Sequence, residues 1–311
     1  MKKEVNRKIP KEVFLAADVG GTNTRIALCT IKNKKINFHA KYYFTNNNFK
    51  SLKQAVDFVK KDAKAKISTG VIAVAGPVSE DRKESKLTNF RWRIRTKDLP
   101  FKAILLNDME AAGYSINVLE KKYIKTIKKG VSRKRIGLIS VGTGLGKSYL
   151  IYDKFFKPYS SEGGHGYIPV FDKKMVEYLN KNKLNEFEDF ISGNGLVNLY
   201  KFYSRTKKKI TPAQIMASKT RTANAAKDMF SKLLGRCAKN FALDLLSDIY
   251  ISGGVIAKNL GLINKTFLKE FTKSKKMKNI LENTTIKIIT SEDLCLLGAA
   301  FAARLLEEKR L

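Results

Sequence analysis

Several short stretches of this 311-residue chain combine residue types that can bind an anion, hold a cation or move a proton. In Asp18-Val19-Gly20-Gly21-Thr22-Asn23-Thr24 a carboxylate precedes two glycines and three small polar residues, between apolar runs. Gly20 and Gly21 lack a Cβ, so the turn can take positive φ and let a bulky anion approach the backbone. Thr22, Asn23 and Thr24 offer donors to phosphate oxygens, and Asp18 could hold a hydrated cation. A second copy runs from Ile136 through Val141-Gly142-Thr143-Gly144-Leu145-Gly146-Lys147-Ser148 to Ile151. Either copy alone also reads as an ordinary glycine hairpin. Lys147-Ser148 resembles the end of a Walker A loop, but Val141 stands where that motif needs Gly, and strand residues replace its helix. The pattern G-x-G-x-x-G fails too, because Lys147 takes the place of its last Gly. Two such hairpins in successive halves fit two similar domains gripping one polyphosphate.

Further candidates lie along the chain. Asn107-Asp108 follows the apolar strand Ala103-Ile104-Leu105-Leu106 and opens a helix over residues 109–119. Ligands of open α/β sheets gather at strand carboxyl ends, which favours a functional role, while helix capping is the alternative. Glu162-Gly163-Gly164-His165 sets a carboxylate three residues from an imidazole, in a loop too rich in glycine for regular structure. A metal pair there lacks a third nearby ligand. Glu188 precedes Ser192-Gly193-Asn194-Gly195 and a helix, where its charge is either a ligand or favourable at a helix start. Gly253-Gly254 ends the strand Asp248-Ile249-Tyr250-Ile251, leaving bare backbone on which a base or ribose can lie.

The elements that must position these residues follow from periodicity. Residues 36–44 read as a strand; residues 51–64 form a helix with Leu52, Ala55, Val56, Val59 and Ala63 on one face. Residues 71–75 form a buried strand, so a crossover makes part of the sheet parallel. Residues 223–246 form a long amphipathic helix, residues 285–289 a last strand, and residues 293–306 a closing helix. Trp92, the single tryptophan, reads as packing.

Together these motifs resemble the phosphate-1, phosphate-2 and adenosine motifs of the actin–hexokinase–Hsp70 superfamily. More narrowly, with Leu87-Thr88-Asn89, Leu106-Asn107-Asp108, Glu162-Gly163-Gly164-His165 and Ser192-Gly193-Asn194-Gly195-Leu196 in family order, the chain resembles the bacterial glucokinases. The resemblance implies an α/β, two-domain ribonuclease H-like fold with an interdomain cleft. It divides the chain into a small domain, residues 1–118 plus 297–311, and a large one, residues 119–296. It implies phosphorylation of D-glucose to D-glucose 6-phosphate by ATP with Mg2+, the first step of glycolysis, with Asp108 as catalytic base. Asn107, Asp108, Glu162, His165 and Glu188 would hold the sugar. Ala17, Asp18, Val19, Gly20, Gly21, Thr22, Asn23, Gly142, Thr143, Gly144, Gly253 and Gly254 would hold the nucleotide, with Asp18 indirectly on Mg2+. Two departures stand out: Tyr167 replaces a common acidic residue, and Asn194 replaces a frequent Pro. A kinase for fructose, mannose or an N-acetylated amino sugar is the alternative within enzymes. A sugar-responsive regulator is a further one, disfavoured because no helix-turn-helix precedes Val13 and the base is retained. An actin- or Hsp70-like nucleotide switch would lack Glu162-Gly163-Gly164-His165.

Composition bounds the remainder. The length favours two domains. Cys29, Cys237 and Cys295 lie far apart in apolar contexts and read as buried thiols, with no zinc motif of the kind found in many repressor/kinase (ROK) relatives. With 61 basic and 28 acidic residues the formal charge is +33, which attracts polyanions nonspecifically. The lysines are dispersed, so no specific nucleic-acid partner is expected. Neither a signal peptide nor a membrane span is apparent, so a cytoplasmic location is the expectation. The glucokinase resemblance implies a homodimer acting on glucose or a related hexose.

Overall fold

The computed structural model describes residues 2–32, 35–88, 90–169, 172–206 and 208–311. Asn89 of the Leu87-Thr88-Asn89 motif lies outside them. The chain folds as two compact units. One comprises Met1–Glu120, Lys154–Ser160 and Asp293–Leu311; the other comprises Lys121–Asp153 and Ser161–Glu292. Lys154–Ser160 was expected in the second unit, but Phe155 packs on Tyr114 and Phe301 of the first, with ring centroids 6.4 and 5.9 Å away.

The first unit opens with β1 (Lys2–Val5), β2 (Glu12–Val19), β3 (Asn23–Lys32) and β4 (Lys35–Thr45). Helix α1 (Leu52–Ala63) follows, capped by Ser51, whose hydroxyl accepts from the Gln54 amide. Leu52, Ala55, Val56 and Val59 are its buried stripe at the helical repeat. Then come β5 (Lys66–Val74), the small hairpin β6 (Glu84–Lys86) and β7 (Arg93–Arg95), β8 (Lys102–Asn107) and α2 (Asp108–Tyr114). α2 is shorter than its apolar pattern implied and gives way to a 3-10 turn, Ser115–Asn117, where the Ser115 hydroxyl donates to the Ala112 carbonyl. Trp92 is buried, and its indole nitrogen has no hydrogen-bond partner among the described residues.

The sheet order is β1-β4-β3-β2-β5-β8. β2, β5 and β8 are mutually parallel; β3 and β4 add antiparallel neighbours. Both faces are covered, so strand parity sorts the side chains. Leu15, Ala17 and Val19 join the cluster with α1, whereas Ala16 joins the one with α2 and the closing helix. Asp18 shares the parity of Ala16 and faces that second layer.

The second unit contains β9 (Ile124–Lys128), β10 (Arg135–Val141) and β11 (Leu145–Tyr152). After β12 (Phe156–Ser161) come α3 (Lys173–Asn182), α4 (Gly193–Ser204), α5 (Pro212–Ala217) and the 25-residue α6 (Arg221–Leu245). It ends with β13 (Asp248–Ser252), α7 (Gly254–Lys258), α8 (Lys265–Thr272), α9 (Lys278–Glu282) and β14 (Ile286–Ile289). Its sheet runs β11-β10-β13-β14-β9, with β10, β13 and β14 parallel and the outer strands antiparallel. α6 supplies Phe230, Leu233, Leu234, Cys237, Ala238 and Phe241 to the core. The chain closes in the first unit with α10 (Leu294–Glu307). A Cβ at Gly298 of α10 would lie 1.6 Å from the Ala111 carbonyl oxygen, so only glycine permits this approach to α2.

Candidate functional site

In the first unit, parallel register places two candidate motifs at one edge. Val19 of β2 pairs with Val74 of β5, and Val74 with Asn107 of β8. The Gly20-Gly21-Thr22 turn and the Asn107-Asp108 pair therefore leave the same carboxyl edge one strand apart, about 10 Å at sheet spacing.

The turn is closed by the Gly20 amide on the Asn23 carbonyl, 3.0 Å. Neither glycine uses positive φ, contrary to expectation; among the described glycines that conformation belongs to Gly253, at φ 97°. A brace from outside the motif shapes the turn instead. Buried Asn46 accepts from the Thr24 hydroxyl (2.7 Å) and donates to the Gly20 carbonyl (2.8 Å), while its own amide donates to the Thr22 carbonyl (2.8 Å). Thr24 is buried by this contact, so it is not the phosphate donor expected; Thr22 and Asn23 are exposed. Ala17 and Val19 are core side chains and offer a ligand only backbone.

Asp18 keeps 16% of its side chain exposed and accepts from the Arg25 guanidinium at 3.1 Å. Burial pushes its carboxyl up, Arg25 opposes this, and the Asp293 charge adds to the rise. A nearby cation would offset the same burial cost, so the site suits a hydrated Mg2+ held through water, with Arg25 already on one oxygen. Among the described residues, no group of three or more His, Cys, Asp or Glu is arranged to hold a metal.

Asn107 is the N-cap of α2, its Oδ1 accepting from the Met109 amide at 2.9 Å. Asp108 is the first helical residue; its Oδ1 accepts from the same amide at 2.8 Å. Both side chains of the pair therefore meet the Met109 amide, Asn107 as the N-cap and Asp108 from the first turn. Cys295 donates to the Asp108 carbonyl at 3.5 Å, and burial, then the charges of Asp18 and Asp108, push its thiol up. Cys295 is only partly buried, unlike Cys29 and Cys237.

In the second unit, Ser140 of β10 pairs with Ser252 of β13, so the Gly142-Thr143-Gly144 turn and Gly253-Gly254 also share a carboxyl edge. A Cβ at Gly253 would sit 2.3 Å from the Val141 carbonyl oxygen, so its bareness serves strand packing. Beside Gly254 and Gly142, by contrast, a Cβ would meet nothing within 4 Å, which leaves open backbone there.

Residues 162–166, expected as irregular loop, instead contain a 3-10 turn, Gly163–His165, directly after β12. Its shape comes from close contact with β11: a Cβ at Gly164 would lie 2.0 Å from the Leu145 carbonyl oxygen. The Glu188 amide donates to the Gly164 carbonyl, 3.0 Å, and Glu188 Oε2 accepts from the Leu145 amide, 2.7 Å. Glu188 is therefore not a helix-start charge; α4 begins five residues later, capped by Ser192. Its Oε1 accepts no hydrogen bond among the described residues. Glu162 and His165 are exposed. His165 Nδ1 meets Glu186 Oε2 at 2.6 Å, and that bond, with the Glu188 and Glu162 charges nearby, raises the imidazole pKa against partial burial.

The structure thus gathers Asp18, Gly20, Gly21, Thr22, Asn23, Asn107 and Asp108 in one unit. In the other it gathers Gly142, Thr143, Gly144, Glu162, His165 and Glu188, with Gly253 and Gly254 at the same sheet edge as the hairpin. Asn46, Arg25, Lys147 and Glu186 were missed as supporting residues. Lys147 and Arg25 lie inside recognised motifs, but nothing local to Asn46 or Glu186 marks its partner.

The family model of the glucokinases matches residues 15–306. A glucokinase of Nostoc sp. is 30% identical, covering 94% of this chain and 98% of its own length. The solved glucokinase from an Antarctic psychrotroph is 25% identical with a TM-score of 0.82, over 94% of this chain and 98% of that one. The Balamuthia mandrillaris glucokinase, solved in complex with glucose, shares the fold at 23% identity and a TM-score of 0.78, over 94% of each chain. The fold is of the two-domain actin–hexokinase type, and the chain, a hexose kinase, belongs to the glucokinase family.

Proposed function

We propose that the protein transfers the γ-phosphoryl group of ATP to the 6-hydroxyl of D-glucose, forming D-glucose 6-phosphate at the start of glycolysis. The observation that carries the reading is the strand-end register of the first unit, which brings the Gly20-Gly21-Thr22 turn and the Asp108 carboxylate to one edge. Amides of Gly20 to Asn23 and of Gly142 to Gly144 would orient phosphate oxygens, with Thr22 and Thr143 adding hydroxyl donors. Open backbone at Gly254 would lie against the adenosine. Mg2+ on the phosphates supplies charge neutralisation when bound, and Asp18 would hold it through water. Asn107, Glu162, His165 and Glu188 would take sugar hydroxyls, and Asp108 would accept the 6-hydroxyl proton. Phosphoryl transfer is loose, so positioning and charge stabilisation outweigh proton abstraction, and a carboxylate is base enough. The family resemblance also favours a cytoplasmic homodimer.

Asp108→Asn keeps the cap, which Asn107 provides, and should bind glucose normally in calorimetry. Its kcat should fall by about 10²–10⁴, the usual worth of a general base. A kcat near that of the unaltered protein would refute the role.

A related hexose or N-acetylated amino sugar is the second reading, favoured by Tyr167. This residue is 81% exposed, bridges to Glu186 and stands two positions from His165, where the family commonly has an acid. Coupled assays over a panel of hexoses discriminate between the two by kcat/KM.

A further inference from the structure

Lys147, the residue that made the second glycine turn resemble a Walker A loop, has another place in the fold. Along β11, Leu145, Lys147 and Tyr149 share one face, and Leu145 and Tyr149 belong to the second unit's core. Strand alternation therefore assigns position 147 to an apolar side chain, yet a lysine stands there, 5% exposed. Its amine lies 4.9 Å from the Phe187 ring centroid and 5.3 Å from that of Phe241. It donates to the Gly163 carbonyl at 2.8 Å, and its charge opposes the rise that burial imposes on the Cys237 thiol. No carboxylate pairs with it among the described residues. An amine at a core position costs stability unless it is hydrogen-bonded, and methionine would fill the same space without that demand. Gly163 packs closely here: a Cβ there would come 3.1 Å from Ser161 Oγ and 3.3 Å from Lys147 Cδ.

Gly163 is the residue after Glu162 and two before His165. The same short turn is held from its other side by the Glu188 amide on Gly164 and the Phe187 amide on Gly166, both 3.0 Å. We propose that Lys147 is a positioning residue for the sugar: through the Gly163 carbonyl it fixes the backbone that carries Glu162 and His165 to the strand leaving the phosphate-2 turn. The proposal rests on the reading of Glu162 and His165 as sugar ligands.

Lys147→Met keeps most of the apolar stem and removes the amine, and with it the donor to Gly163 and the charge over the Phe187 and Phe241 rings. The KM for glucose should rise roughly tenfold, the effect of one hydrogen bond lost with its acceptor left unpaired, while kcat and the KM for ATP stay within about twofold. Cys237→Ser, which spares the Gly163 bond, should leave the glucose KM unchanged. Hydrogen exchange reads the turn without substrate: in Lys147→Met, amides of residues 163–166 and 187–188 should exchange faster while those of 142–144 do not. An unchanged glucose KM, a loss spread over kcat and both KM values, or unchanged exchange at 163–166 would each overturn the proposal, as would a Cys237→Ser variant that copies Lys147→Met. Should Lys147→Met fail to fold, Lys147→Gln, whose amide is one bond too short for Gly163, carries the same expectations. If the unaltered protein leaves glucose unphosphorylated, the functional reading fails by itself, and exchange still decides whether Lys147 holds the turn.

Discussion

His165 and Glu186 show how much of a site resides in a pair. The imidazole of His165 has its pKa lifted above the ordinary 6.5 chiefly by the Glu186 hydrogen bond. For a group whose folded pKa is raised, the favourable interaction is fully present below the ordinary value and fades as pH climbs through the raised one. Protonated His165 can donate to a sugar oxygen from Nε2 while Nδ1 stays on Glu186. The glucose KM should therefore rise on the alkaline side, and in Glu186→Gln that rise should begin at lower pH because the largest part of the lift is removed while the Glu188 and Glu162 charges remain. Measuring glucose KM from about pH 5 to about pH 9 checks this, and coincident profiles for the two proteins would dismiss it. Both side chains are well exposed, at 52% and 37%, so global stability should hardly change. His165 was legible as a candidate from its neighbours Glu162, Gly163 and Gly164. Glu186 was not, because it lies 21 residues away and meets His165 only after residues 162–166 dock against residues 187–188.

At the scale of elements, the strands and turns around both glycine motifs were readable because alternating apolar residues and turn chemistry act over a few residues. α1 was readable for the same reason, its buried stripe and its Ser51 cap both being local. Less readable was what shapes a turn. The Gly20-Gly21-Thr22 turn gets its conformation from Asn46, whose three hydrogen bonds reach residues 20, 22 and 24. Asn46→Ala removes the two side-chain bonds and leaves the Gly20 carbonyl and Thr24 hydroxyl without that partner. Such a loss costs about 1–3 kcal/mol for a buried group, so the midpoint of thermal unfolding should drop by several degrees. The KM for ATP should rise by roughly tenfold while that for glucose changes little, since the altered turn is the one proposed to hold phosphate. Equal changes in the two KM values would show that the brace does not act on the phosphate turn. The early end of α2 and the 3-10 turn at Gly163–His165 were also hidden. The 3-10 turn packs at Gly164 against the Leu145 carbonyl of β11, and α2 is met at Ala111 by Gly298 of α10, contacts that no local pattern announces.

For the whole molecule, charge is the property most visible beforehand. A formal +33 on a 35.1 kDa chain opposes self-association at low ionic strength. Salt screens exposed charges beyond about 8–10 Å, so the proposed homodimer should tighten as salt is raised. Light scattering should then move toward twice the chain mass of 35.1 kDa; a monomer at every ionic strength would rule the dimer out. No helix among the described residues is long and apolar enough to cross a membrane. The sequence by itself determined the strand–turn–strand motifs, their order along the chain and the family they indicate, because glycine turns, caps and apolar periodicity are short-range effects. Only the tertiary structure decided which polar atoms those motifs keep for a ligand. Thr24 is spent on Asn46, one Glu188 oxygen on the Leu145 amide, and the Lys147 amine on Gly163. Each partner is remote in sequence, and a side chain's availability depends on what folding brings within about 3 Å of it.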